Sequence, residues 1–371
     1  VTEPLTVDVP LGPRSYAVRI ASGDPAGFGP FAREALDATW AGRGCRAALT
    51  VVDANVGAIA GPFEVALRAA GIEPKRAVVP AGEASKSIER AIALYDVLVD
   101  MNADRQTTVV AIGGGVAGDL AGFVAATYNR GLPLLMVPTT LLAQVDSAVG
   151  GKVAVNHPRA KNVLGAFHQP RGVWIDTETL ATLPDRELRC GLAEVVKYGA
   201  ILDPEFFDWL EANAPALLAR DPSALRHVIA VSCRLKAGVV AADEREESGV
   251  RAVLNFGHTI GHAIEATAGY GGDYRHGEAV AVGMVAECRL AETLGWIGPE
   301  TTDRLAALLG RLGLPVAAPG LDPSALAEAM GRDKKNRGGQ VRFVLPRAIG
   351  RVELAEATAA DALAAIRADP N

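Results

Sequence analysis

His258 and His262 stand four residues apart in Asn255-Phe256-Gly257-His258-Thr259-Ile260-Gly261-His262-Ala263-Ile264-Glu265, and His276 opens His276-Gly277-Glu278 shortly after. These three are half of the six histidines in the chain. On a helix, positions i and i+4 share one face. Neutral imidazole is a common ligand for zinc and other borderline metals, so the cluster points to a metal site. Such pairs also occur as surface or satisfied core residues, but the flanks here are Gly-rich and apolar, which suits close helix packing. A metal needs further ligands, and Gly191-Leu192-Ala193-Glu194-Val195-Val196-Lys197-Tyr198 offers one. Glu and Lys are rarely buried without a partner, and at i, i+3 they share a helix side. Glu194 and Lys197 read either as a surface ion pair, worth little, or as a carboxylate ligand beside a cation that holds an anionic substrate.

A second chemical signal is Gly113-Gly114-Gly115-Val116-Ala117-Gly118-Asp119, directly after the apolar run Thr107 to Ile112. Gly113, Gly115 and Gly118 fit G-x-G-x-x-G between a strand and a helix. Glycines let a backbone approach a pyrophosphate, and a helix N-terminus favours its charge. The acidic residue usual about 20 positions on is missing, since no Asp or Glu lies between Asp119 and Asp146. Asp53, ending its own strand, could take the ribose hydroxyls instead. The alternative is a tight strand–helix turn with no ligand.

Polar groups also follow the next strand, in Pro138-Thr139-Thr140-Leu141-Leu142-Ala143-Gln144-Val145-Asp146-Ser147-Ala148-Val149-Gly150-Gly151-Lys152. Ligands of open α/β sheets sit outside the carboxyl ends of strands. Lys161, Asn162, Lys236, Arg251, Asn255 and the pair Lys334-Lys335 add further polar groups. Each cation alone reads as a solvated charge; Lys152, beside a glycine pair, and Lys197, in an apolar helix, are the better candidates. Several cations around a metal suggest a phosphate or carboxylate substrate.

The elements that must position these groups change character along the chain. Tyr16 to Ile20, Ala48 to Val52, Ala77 to Val79, Thr107 to Ile112 and Leu134 to Pro138 read as strands. Pro62 to Ala70, Ser87 to Met101 and Gly118 to Thr127 read as the intervening helices. That alternation predicts a parallel sheet covered on both faces. From about Pro184, helical periodicity dominates: Asp185 to Ala200, Pro204 to Ala214, Pro222 to Asp243, Phe256 to Gly269, His276 to Leu294, Pro299 to Leu312 and Pro323 to Met330. A strand pair, Val341 to Leu345 and Gly350 to Leu354, precedes a last helix at Thr358 to Ala368. The expectation is an α/β N-terminal domain with a parallel, Rossmann-like sheet over residues 1–180. A mostly α-helical C-terminal domain follows over 181–371, and a length of 371 residues suits two domains.

Composition excludes several classes. A net charge of −6 gives no basic footprint for nucleic acid, and 5% aromatic residues argue against a base-stacking platform. No apolar run reaches membrane-spanning length, and Val1-Thr2-Glu3-Pro4 does not open a secretory leader. Cys45, Cys190, Cys233 and Cys288 form no C-x-x-C pair, which suits a reduced, cytoplasmic protein.

The motifs resemble those of the 3-dehydroquinate synthases, within the wider sugar-phosphate cyclases. The resemblance runs from Leu11-Gly12-Pro13-Arg14-Ser15-Tyr16 to Asp333-Lys334-Lys335 and Ala348-Ile349-Gly350. It rests on Gly113 to Phe123, Pro138 to Lys152, Lys161 to Pro170, Gly191 to Gly199, Asn255 to Glu265, and His276 to Met284. It implies a divalent metal, zinc or possibly cobalt, held by Glu194, His258 and His276, with His262 near the substrate phosphate. It implies NAD held by Asp53, Asn55, Glu83, Lys86, Gly114, Gly115, Val116, Asp119, Thr139, Thr140, Thr179, Leu180 and Thr182, with Lys161 serving NAD or substrate. Substrate contacts carried over are Asp146, Lys152, Asn162, Lys197, Lys236, Arg251, Asn255, and Lys334 or Lys335. Arg130 matches a family arginine that reaches into a neighbouring subunit, which implies a homodimer. The implied reaction takes 3-deoxy-D-arabino-heptulosonate 7-phosphate to 3-dehydroquinate by transient oxidation, β-elimination of phosphate, reduction and aldol closure, a step toward aromatic amino acids.

Some positions depart from the family pattern. The run Asp243 to Val250 is one residue longer than usual, so the family's acidic residue falls on Glu246 or Glu247. Val153-Ala154 and Arg159-Ala160 replace more usual residues near Lys152 and Lys161, and Cys190 stands where a polar residue can sit near NAD. These changes keep open a cyclase acting on sedoheptulose 7-phosphate or glucose 6-phosphate. A metal-dependent polyol dehydrogenase of similar fold is a further rival, although it has less need of so many cations.

Overall fold

In a computed structural model the protein is described over residues 3–38, 43–269, 273–331 and 340–367. These residues form two compact units, 1–183 with Leu225–Arg245, and 184–224 with 246–371. No helix among the described residues is long and apolar enough to cross a membrane.

The first unit is built on a seven-stranded sheet. Its elements in chain order are β1 (Leu5–Val9), β2 (Tyr16–Ala21), α1 (Phe28–Asp37), β3 (Ala47–Asp53), α2 (Gly57–Ala69), β4 (Glu73–Val79), α3 (Ile88–Asp100), β5 (Thr108–Gly113), α4 (Gly115–Thr127) and β6 (Leu134–Pro138). The hairpin β7 (Lys152–His157) and β8 (Ala160–Phe167) stands outside the sheet, and β9 (Gly172–Asp176) returns to it. The spatial order is β1-β2-β9-β6-β5-β3-β4. Only the β1–β2 pair is antiparallel; every other neighbour is parallel. The central strands are mostly apolar because both faces are covered: all residues of β5, β6 and β9 are buried. On one face Phe28, Phe31, Phe63, Leu67 and Trp174 form the core with Val110 and Val137. The Phe28 and Phe63 rings meet edge to face at 5.8 Å, and each such buried side chain contributes roughly 1.5–3 kcal/mol.

The second unit holds α5 (Asp185–Leu202), α6 (Pro204–Leu218), α8 (His258–Thr267), α9 (His276–Thr293), α10 (Pro299–Arg311), α11 (Pro323–Gly331) and α12 (Ala359–Arg367), with the hairpin β10 (Gln340–Ala348) and β11 (Arg351–Thr358). Helix α7 (Pro222–Ala242) joins the first unit from Leu225 onward. Ile260, Ile264, Val282, Leu326 and Phe343 anchor the second core.

Most predicted elements are present, with shifted edges. The helix predicted from Gly118 begins at Gly115, and the one predicted from Phe256 begins at His258. Strands β1, β7, β8 and β9 and helix α1 were not predicted. β1 is a mostly exposed edge strand, β8 is largely exposed without alternation, and β9 is only five residues long. Helix α1 buries Phe28, Phe31, Ala32 and Leu36 on one face and β7 buries Val153 and Val155 in alternation, patterns that the sequence does carry.

Candidate functional site

In the second unit, glycines bring three helices into contact, and the contacts set the histidine cluster. Gly257 has φ +77°, and a Cβ there would lie 2.5 Å from Met284 Cγ and 2.7 Å from the Val280 carbonyl. It turns the chain into α8, whose first residue is His258. A Cβ on Gly277 would lie 2.3 Å from the Cys190 carbonyl, so α9 enters tight against α5. Cys190 is thus a buried packing residue whose thiol burial pushes up to about 12.

The result places Nε2 of His258 and Nε2 of His276 each 3.5 Å from Oε1 of Glu194. Their other ring nitrogens are already engaged. His258 Nδ1 lies 3.1 Å from the Phe256 carbonyl, and His276 Nδ1 lies 3.1 Å from Oε2 of Glu265. Glu194 is fully buried and its Oε2 pairs with Lys197, itself 1% exposed. Ligand atoms about 2.0–2.1 Å from a tetrahedral metal sit roughly 3.4 Å apart, so the two 3.5 Å separations suit a shared ion. Ring nitrogens turned toward backbone and carboxylate partners are the usual outer shell of metal-binding histidines. The residues present therefore fit a divalent metal.

Donor atoms of His262, Glu265 and His276 also lie within 4.8 Å of one another. That set would use the His276 nitrogen already paired with Glu265, so the Glu194, His258 and His276 set is the better one. His262 is exposed, its ring 5.4 Å from that of His258 and 6.2 Å from that of His276. Before any ion enters, burial and Lys197 push His258 down to about 3. Burial opposes charge on His276 as well, but Glu194 and Glu265 raise it to about 10.

Arg251 is buried in the turn Val250–Asn255, with its Nε 3.7 Å from Oε1 of Glu246. Of the two alternatives, Glu246 therefore lies beside the arginine. Asn255 closes the same turn, half-buried. Lys334 and Lys335 lie outside the described residues.

In the first unit, the expected cofactor residues gather at the carboxyl ends of β3, β5, β6 and β9. Gly113 ends β5 beside Asp53, since a Cβ on Gly113 would lie 3.1 Å from Asp53 Cβ. Asp53 accepts from Asn55 N at 2.8 Å. Gly114 faces Thr140, with 3.1 Å between its virtual Cβ and Thr140 Cγ2, and α4 opens at Gly115 with Val116 behind it. A small cleft is lined here by Gly113, Gly114, Gly118, Pro138 and Ser147. The Thr139 hydroxyl is buried and makes no hydrogen bond, a costly state unless a ligand satisfies it. Bare glycine backbone, a helix N-terminus and an orphaned hydroxyl fit a pyrophosphate-bearing cofactor.

Thr179 and Leu180 lie in the turn after β9, where Thr179 Oγ1 donates to the Asp176 carbonyl and accepts from Gln144. Thr182 follows, exposed. Lys86 pairs with Asp119 and with Asn162 Oδ1, and Lys236 Nζ donates to Asp146 Oδ1 and to its carbonyl, both at 2.6 Å. Lys152 is exposed at the start of β7, and Lys161 is half-buried in β8. Arg130 is exposed on the turn after α4, with φ +66°.

Two residues escaped the sequence reading. Glu265 was quoted only as the end of a motif, although it stands seven residues after His258 on the same helix face. Asn156 carried no signal at all.

Comparison with known proteins shows what the chain resembles. The 3-dehydroquinate synthase N-terminal and C-terminal family models match residues 76–190 and 191–336. A 3-dehydroquinate synthase of Desulforamulus reducens is 50% identical over 351 residues, 94% of this chain and 95% of the relative. Among solved structures, ValA, a 2-epi-5-epi-valiolone synthase of Streptomyces hygroscopicus with NAD+ and Zn2+ bound, is 29% identical with a TM-score of 0.83. The match covers 94% of this chain and 95% of that one. A 2-deoxy-scyllo-inosose synthase complexed with carbaglucose-6-phosphate, NAD+ and Co2+ is 25% identical with a TM-score of 0.87, covering 98% and 99% of the two chains.

Proposed function

The chain belongs to the 3-dehydroquinate synthase family, and we infer from that premise that it converts 3-deoxy-D-arabino-heptulosonate 7-phosphate into 3-dehydroquinate and phosphate. The carrying observation is the pair of histidine nitrogens set 3.5 Å from one oxygen of Glu194. Bound NAD supplies a transient hydride acceptor, and a divalent metal, zinc or cobalt, supplies a Lewis acid for the alcohol that is oxidised.

The chain's own residues divide the remaining work. Glu194, His258 and His276 hold the metal, and Lys197 pairs with the buried carboxylate. Asp53, Asn55, Glu83, Lys86, the Gly114–Val116 turn, Asp119, Thr139, Thr140 and the Thr179–Thr182 turn hold NAD, with Lys161 serving cofactor or substrate. Lys152, Asn162 and His262 bind the phosphate that leaves, and their donors stabilise its growing charge. Arg251 and Lys236 grip the substrate carboxylate and ring hydroxyls, helped by Asp146, Asn255, Glu246 and Lys334 or Lys335. Cofactor binding belongs to residues 1–180, metal and most carboxylate binding to 181–371, while Lys236 lies in the helix that packs with the first unit.

Exposed Arg130 supports a homodimer in which it serves a neighbouring site. Four buried free cysteines support a reducing, cytoplasmic setting. Cyclases of other substrates stand at 25–29% identity, against 50% for the 3-dehydroquinate synthase relative, which favours the heptulosonate phosphate.

The test is an anaerobic assay of zinc-loaded protein with catalytic NAD and the heptulosonate phosphate. Phosphate and carbocycle should appear over many turnovers with no net NADH. Release of phosphate from sedoheptulose 7-phosphate or glucose 6-phosphate alone would move the substrate, and stoichiometric NADH would revive the polyol dehydrogenase.

A further inference from the structure

The hairpin β7–β8 carries Lys152 and Asn162 but pairs with no strand of the main sheet. Its ladder is interrupted between Val155 and His157, where the register shifts. There Asn156 of β7 faces the extra residues of β8, Lys161 to Val163. Its backbone leaves the hairpin and bridges Ser87 instead, with Asn156 N donating to the Lys86 carbonyl at 2.8 Å. A bulge re-aims a side chain, and here the amide spans two loops. Asn156 Nδ2 donates to Oε1 of Glu83 at 2.7 Å, and Asn156 Oδ1 accepts from the backbone N of Asn162 at 2.9 Å. Only one amide orientation satisfies both, because a carboxylate accepts and an N–H donates.

Asn162 has φ +57°, in the left-handed region that asparagine enters more readily than other non-glycine residues. With its N–H held by Asn156 and its Oδ1 held by Lys86, the Nδ2 group is the donor left to meet an anion. Glu83 and Lys86 flank the same 3-10 turn, after Gly82 at φ +98°. Together with the Lys86–Asn162 bond, this amide joins a loop assigned above to NAD to the loop assigned to the leaving phosphate.

We propose that Asn156 is a positioning residue that ties the Glu83–Lys86 loop to Asn162, so that NAD and phosphate each tighten the other's binding. This rests on the residue roles proposed above. Ordering either loop by its ligand orders the other through the shared amide, and such coupling is reciprocal.

The test is calorimetric titration of NAD into zinc-loaded protein, with and without saturating inorganic phosphate. In the wild type, phosphate should tighten NAD at least about fivefold, and NAD should tighten phosphate equally. In Asn156→Ala, where the direct Lys86–Asn162 bond remains, that ratio should fall at least about twofold while both ligands still bind. Asn156→Asp keeps the acceptor for Asn162 N–H but sets a carboxylate against Glu83, so it should also weaken the coupling; it decides the question if the alanine variant melts early. A wild-type ratio at or below one, or a wild-type ratio retained in a folded variant, overturns the proposal. A wild type that binds no NAD at all would overturn the cofactor reading with it.

Discussion

Oε2 of Glu265 lies 3.1 Å from Nδ1 of His276. That contact fixes the ring so that Nε2 points at Glu194, and it raises the ring's basicity as a ligand. Removing such an outer partner typically costs 10–100-fold in metal affinity. Glu265→Ala should therefore weaken zinc binding about 10–100-fold, with Glu265→Gln losing less because an amide oxygen still accepts. Competition with a chromophoric chelator measures this, and unchanged affinity in the alanine variant would remove Glu265 from the metal's support.

Glu194 and Lys197 form a buried ion pair, 0% and 1% exposed. Deleting one partner of a buried pair costs roughly 3–5 kcal/mol when the other charge is left alone, but His276, raised to about 10 by Glu194 and Glu265, shares this carboxylate. Lys197→Met should therefore lose less than that in the metal-free protein and less still in the zinc-loaded one, because a bound cation also compensates Glu194. Urea melts with and without zinc separate the two, and equal losses would contradict a metal at this carboxylate. Glu194→Ala should lose metal retention and turnover together.

A Cβ on Gly283 would lie 2.0 Å from the Gly257 carbonyl. The obstructing atom is backbone, so relief requires α9 to move away from the start of α8. These helices carry His258 and His276. Gly283→Ala should cost about 1–3 kcal/mol of stability and weaken metal binding as the two rings part. Gly238→Ala, on α7 with nothing within 4 Å of the added Cβ, should be neutral or stabilising by up to about 1 kcal/mol. Matching melts for the two variants would refute the packing argument.

The contrast between these residues also explains what the sequence made legible. Gly113 to Gly118 follow a wholly apolar strand, so local pattern alone located the turn at the sheet's carboxyl edge. The four-residue spacing of His258 and His262 announced ligand chemistry but could not say which histidines share a carboxylate oxygen: the structure brings His276, eighteen positions after His258, to the same oxygen of Glu194. That meeting depends on close approaches at Gly257 and Gly277, which no spacing rule encodes. β8 was invisible because its residues are largely exposed, and Asn156 because the irregular pairing of β7 with β8, not a motif, gives it its reach.

Glu287 on α9 is fully buried, and its Oε2 accepts from Gly257 N at 2.7 Å. Its Oε1 has no hydrogen-bond partner. Burial holds this carboxyl well above the usual carboxylate range, against the opposing bond from Gly257. A folded-state pKa above the unfolded one means the native state binds the extra proton. Stability from that proton is fully present below the unfolded value, about 4.3, and is lost as pH rises toward the folded value. Glu287→Gln keeps an acceptor for Gly257 and never ionises. The variant should match the wild type near pH 4 and gain on it as pH rises, by up to roughly 1.4 kcal/mol per pH unit. Melts of both proteins in the metal-free form across that range give the difference directly. A difference that stays flat or shrinks toward neutral pH would mean the buried carboxyl is already ionised in the folded protein, with its charge met by some group other than Gly257.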